Sequence, residues 1–193
     1  MGTSRTRVVV WEAALLALLL TAPMAMAQQQ TPELSAIQSA LSKVENSSGA
    51  GRADALSELN YHISSIESLL TENGYQGSPS EVVTLLNAIR PQIQNSLKDS
   101  NSTVRARAAE TAASIAMRLG HYSNQTKKDA PDVSTQAREG LAAIAQSMAT
   151  LGEDSDPEVR RWAVHVHAIH IIATQNIRND RRHIIPDVWK PGI

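Results

Sequence analysis

The chain has 193 residues, no cysteine and a formal net charge of −1. That length points to about one domain, and the missing thiols exclude disulfides, thiolate metal sites and a cysteine nucleophile. The near-neutral balance gives no electrostatic ground for nucleic acid as a partner.

The N-terminal stretch reads as a targeting segment. Arg5 and Arg7 precede an apolar run from Val8 to Leu20, Pro23 breaks it, and Ala25-Met26-Ala27 places small residues at the two positions a signal peptidase inspects. That order is the pattern of a cleavable secretory signal over residues 1–27. The run is shorter than the ~20 residues a bilayer span needs and contains Glu12, so no membrane span is expected in the mature form. Cleavage after Ala27 would release a 166-residue protein into a periplasm or similar extracytoplasmic lumen. The opening Met1-Gly2-Thr3-Ser4-Arg5-Thr6 also fits a myristoylation pattern, which the apolar run behind it argues against.

Helical spacing governs the rest of the chain. Leu34, Ile37, Leu41 and Val44 recur at three and four after Thr31-Pro32, where proline suits a first helical position. Leu56, Leu59, Ile63, Ile66 and Leu70 form a second stripe that ends near Asn73-Gly74. Ser78-Pro79-Ser80-Glu81 is a capping box opening a third helix with Val82, Leu85, Leu86, Ile89 and Ile93, and Pro91 sits inside it as an expected kink. Further helices are predicted over 102–119, 135–151 and 157–175, with a loop over 120–134. The expected fold is all-α, about six helices in three hairpins.

The last four helices carry an internal repeat. A displacement of 55 residues brings Leu86 onto Leu141, Ile89 onto Ile144, Ile93 onto Met148, Val104-Arg105 onto Val159-Arg160, and Ala108 onto Ala163. Asn101 and Asp156 coincide as N-caps. The segments Asp99-Ser100-Asn101-Ser102-Thr103-Val104-Arg105 and Asp154-Ser155-Asp156-Pro157-Glu158-Val159-Arg160 resemble the turn and second helix of HEAT repeats. The resemblance covers roughly residues 78–175. It implies a short right-handed α-α superhelix in which Asp99, Arg105, Asp154 and Arg160 build a polar ladder between successive repeats. The domain reading is a hairpin over 28–77, two HEAT-like repeats over 78–177 and an extended tail over 178–193. The first hairpin lacks the aspartate–arginine signature and reads as a cap or an unrelated pair.

Candidate chemistry is sparse. His165, His167 and His170 crowd the last helix, but at 100° per residue only His167 and His170 share a face, which makes them weak metal candidates. His170 reads as a core-edge histidine with a hydrogen-bond partner. No nucleophile elbow, phosphate-binding glycine loop or His-Glu-x-x-His helix occurs, and no catalytic residue or cofactor is assigned. Trp162 reads as a packing residue. In the tail, Arg181, Arg182, Ile184, Ile185, Val188 and Trp189 combine charge with large apolar groups, a candidate partner-binding segment. The favoured function is a non-catalytic extracytoplasmic interaction or scaffold protein whose partner is another protein, with membership of a larger assembly left open. Two alternatives stay open as well: a small subunit lending histidine to a metal or haem in an enzyme complex, and a helical bundle holding a small ligand.

Overall fold

A computed structural model of the chain describes residues 32–72 and 78–182, with side chains over 35–66 and 78–175. All of these belong to the unit Thr31–Ile193. The segment expected to be a signal peptide, the expected cleavage site after Ala27, the Asn73-Gly74 helix end and residues 183–193 lie outside the described residues. The described part is all-α: α1 Pro32–Asn46, α2 Gly49–Glu72, α3 Pro79–Ser96, α4 Ser102–Gln125, α5 Pro131–Met148, a 3-10 turn Ala149–Glu153, and α6 Pro157–Arg182.

The helices arrange in two rows. In one, α1 contacts α3 and α3 contacts α5; in the other, α2 packs on α4 and α4 on α6. Consecutive helices α1/α2, α3/α4 and α5/α6 pair across the rows. The stripes expected from periodicity supply the core: Ile37, Val44, Leu56, Leu59, Ile63, Leu86, Ile89, Ile93, Leu141, Ile144 and Met148 are all buried. Burial of these faces supplies the main stabilisation, at roughly 1.5–3 kcal/mol per large aliphatic side chain.

The helix starts follow local chemistry. Ser78 Oγ accepts from the Glu81 amide and the Glu81 carboxylate accepts from the Ser78 amide, closing the capping box. Asn101 Oδ1 accepts from the Thr103 amide, and Asp156 Oδ1 from the Glu158 amide. α3 runs on through Pro91 to Ser96.

Three boundaries differ from expectation. The segment 120–134 is not a loop: α4 continues to Gln125 and α5 begins at Pro131. The extension holds because Tyr122 and Ser123 are buried and Ser134 Oγ donates to the Ser123 carbonyl, locking the end of α4 to the start of α5. A 24-residue α4 therefore accounts for most of the long 55-residue period. The helix expected over 135–151 ends at Met148 and tightens into the 3-10 turn. Residues 178–182, read as the start of an extended tail, are the last turns of α6. Pro186 constrains only the residues just before it, so nothing stops the helix at Arg178.

Gly140 lies where α5 closely approaches both α3 and α4. A Cβ there would collide with Asn87 Oδ1 and sit 3.0 Å from Leu119 Cδ1. Gly140→Leu should therefore overpack the seam between α3, α4 and α5 and cost on the order of 2 kcal/mol. By contrast, Gly51→Ala meets only Ser47 Cβ at 3.6 Å and should stabilise by up to about 1 kcal/mol through lost unfolded-state freedom. Urea midpoints of the two variants, moving in opposite directions, would check both.

Candidate interaction surface

The turns before α4 and α6 are built alike. Asp99 Oδ1 accepts from the Asn101 amide at 2.9 Å, and Asp154 Oδ1 from the Asp156 amide at 2.9 Å. Six residues on, an arginine folds back over each turn. Arg105 donates from one terminal nitrogen to the Asp99 and Ser100 carbonyls at 3.0 and 3.1 Å. Arg160 does the same to the Asp154 and Ser155 carbonyls at 2.6 and 3.0 Å. The backbone acceptors thus hold the guanidinium plane in one orientation, with its other edge pointing away from its own turn.

That other edge decides the pairing. Neither arginine forms an ion pair with the aspartate six residues before it. Arg105 reaches forward one helix pair: Nε donates to Asp154 Oδ2 at 2.8 Å and its second terminal nitrogen to Oδ1 at 2.9 Å, a bidentate fork. The pair is largely enclosed, with side-chain exposures of 16% and 9%. The Arg105 hydrogen bond, reinforced by the Asp156 amide and opposed by burial, holds the Asp154 carboxyl below its usual range, and the same bond raises the Arg105 guanidinium.

A fifth member has no counterpart in the sequence pattern. Arg52, in the first turns of α2, donates to Asp99 Oδ2 at 2.8 Å. It stands six residues after Asn46, as Arg105 stands after Asp99. An amide replaces the acid there and the spacing to the next unit is 53 rather than 55, so the 55-residue shift passes over it. The signal that could have found it is the arginine alone, at the start of a second helix. Weaker bonds join successive helices within each row at similar separations: Gln92 to Glu45, Gln94 to the Ala143 carbonyl and Ser147, and Thr111 to the Leu56 carbonyl.

The histidines do not gather. His167 and His170 are half-buried on α6, their imidazoles have no hydrogen-bond partner among the described residues, and no group of three or more metal-ligating side chains forms there. The expected partner for His170 is therefore missing. Trp162 packs partly buried against the core, with the Arg161 guanidinium 4.6 Å above its ring and the His165 ring edge-on at 5.8 Å. Arg181 and Arg182 fall in the last turn of α6, while Ile184, Ile185, Val188 and Trp189 lie outside the described residues. The gap lined by Ile93, Leu97, Ala112, Ile115 and Ile144 is too tight for a water molecule. No helix among the described residues is long and apolar enough to cross a membrane.

The ladder predicts a specific coupling. Arg105→Ala and Asp154→Ala should each destabilise by on the order of 2 kcal/mol, and the double variant by much less than their sum. Additive effects in a double-mutant cycle would show the fork contributes nothing. Because the folded-state carboxyl lies below its ordinary value of 3.8, its stabilisation is complete above that value and is lost as pH falls through the lowered folded-state one. Asp154→Asn should accordingly lose most stability at pH 6 and approach the wild type in strong acid.

No protein family, no curated protein and no solved structure matches this chain.

Proposed function

We propose that the chain is an exported, non-catalytic interaction or scaffold protein built from HEAT-like helical pairs stacked as a short superhelix. The observation that supports this best is the repeated forward pairing, Arg52 on Asp99 and Arg105 on Asp154. Arginine–aspartate contacts recurring at successive positions, one single and one bidentate, are what stacked units require, since each must satisfy similar turn groups against its neighbour. An acid–base reading of these residues fits poorly, because both carboxylates are already spent on arginine and turn amides. Helical pairs stacked in rows offer extended surface rather than an enclosed site, which suits another protein as the ligand. The signal pattern over residues 1–27 supports a partner outside the cytoplasm.

Purification of the protein from its native cells tests both parts of the reading. The mature N-terminus is expected at Gln28, and the protein is expected to elute in a defined complex with a second polypeptide. An intact Met1-to-Leu20 segment would overturn export. A lone species carrying bound metal or haem, lost on His167→Ala or His170→Ala, would replace the scaffold reading with the cofactor-subunit one.

A further inference from the structure

The face by which each second helix receives its successor can be traced through the row. On α2 it consists of Arg52, Leu56 and Ile63; Leu56 and Ile63 are fully buried, and the Leu56 carbonyl accepts from Thr111 of α4. On α4 the corresponding positions are Arg105, Ala109, Ala113 and Ala116, all three alanines buried, with α6 packed on that helix. On α6 the same register gives Arg160, Val164, Ala168 and Ile171. This third copy is open. Val164 is 67% exposed, Ile171 51%, and Ala168 and Arg160 are exposed as well.

Arg160 makes the open face more than an apolar stripe. Its guanidinium is clamped by the Asp154 and Ser155 carbonyls, as Arg105 is clamped by those of Asp99 and Ser100. In Arg105 the remaining edge grips a carboxylate on the next pair; in Arg160 that edge has no carboxylate among the described residues. Neighbouring Glu158 is committed to Arg161 at 2.6 Å. Half of a bidentate fork is therefore preformed at one end of an exposed Val164–Ile171 ridge.

We infer that this face of α6 docks a helix of a different protein, one that carries an aspartate or glutamate in the turn at its N-terminal end, set to take the free edge of Arg160. The inference rests on the interaction function proposed for the chain and names its surface. The facing side of the partner helix should be small or β-branched, like the buried Val104, Ala108 and Thr111 that share one face of α4, where Thr111 bonds the Leu56 carbonyl of α2. A second copy stacked head to tail fits badly. The position equivalent to Asp99 in its first turn is Asn46, a neutral amide with no charge to meet a guanidinium, and the α2 position equivalent to Thr111 is Glu58, paired with Lys43. The chain's own C-terminal segment cannot satisfy Arg160 through Asp187. Five residues past Arg182 span at most about 18 Å, whereas Arg160 lies about 33 Å back along the helix.

The test uses the full chain in the cells that make it, with the photo-reactive residue p-benzoyl-phenylalanine placed at Ile172, which borders the ridge and is 59% exposed. The control site is Met117, the same register position on α4, 47% exposed. The expected result is a link from position 172, and not from 117, to a helix of another protein with an acidic residue in the turn before it. Arg160→Lys, which keeps the charge but loses the fork, should cut the yield several-fold. Val164→Asp should cut it at least tenfold without lowering the melting temperature. A link from 172 to residues 183–193 or to a second copy overturns the inference, as does a yield unaffected by both variants, or no link from 172. Links to another protein from 117 or other helices alone would leave the interaction reading standing while removing this surface. Absence of any linked partner, with the mature protein eluting alone, would remove both.

Discussion

The arrangement depends on a guanidinium held from two sides. A free arginine side chain would lose on the order of 2 kcal/mol of rotamer entropy to sit in one geometry. Here the carbonyls of its own turn absorb part of that ordering before any carboxylate arrives. Arg105 thus presents a fixed fork to Asp154, whose own orientation is set by the Asp156 amide. The bond fixes where α6 begins relative to α4, and hence which residues of α6 meet the alanine face of α4.

Stability and specificity divide between different residues. Partly buried ion pairs offset much of their attraction by desolvation, so the ladder is a weak source of net stability. The aliphatic stripes of α1, α3 and α5 and the buried faces of α2 and α4 supply that. An alanine face by itself specifies position poorly, because alanines slide past one another with little change in contact. Arg105 and Asp154 remove that freedom at one end of the α4–α6 contact, and Gly120 at the other. A Cβ on Gly120 would lie 3.3 Å from Ile169 Cγ2, so the two helices touch there closely.

How much of this architecture is legible in the sequence depends on the range of each signal. The Ser78 capping box, the Asn101 and Asp156 caps and most of the stripe residues depend on neighbours within four positions and are present as expected; Leu41 and Leu85 are only partly buried, and Leu34 and Leu70 lie outside the described side chains. The aspartates and arginines of the two turns are visible as a pattern, yet their partners are not. Spacing of six suggests a local pair, while the bonds span 47 and 49 residues. The extension of α4 to Gln125 is hidden because Gly120 looks like a helix end. It serves instead as the close-approach point against Leu141 and Ile169. His170 misleads in the opposite sense: its place on the buried stripe suggests a bonded core group, but the imidazole is half-buried with no hydrogen-bond partner among the described residues.

The two ends of the row are chemically unequal, and the inequality has a direction. Each arginine reaches toward the C-terminal neighbour and each turn carboxylate receives from the N-terminal one. A row built this way needs no carboxylate at its first turn, and Asn46 stands there. It needs no forward-reaching arginine at its last turn either, yet Arg160 stands there, clamped over its own turn as Arg105 is. Holding the local turn together explains one terminal nitrogen of Arg160; it does not explain why exposed Val164 and Ile171 continue the buried ridge of α2 beyond it. A sealed end would carry polar groups at those positions, as the corresponding outer face of α2 carries Glu58 and Ser65. Among the described residues the first end carries polar groups and the last carries an exposed apolar ridge beside an unpaired arginine edge, which is the polarity the proposed docking on α6 requires.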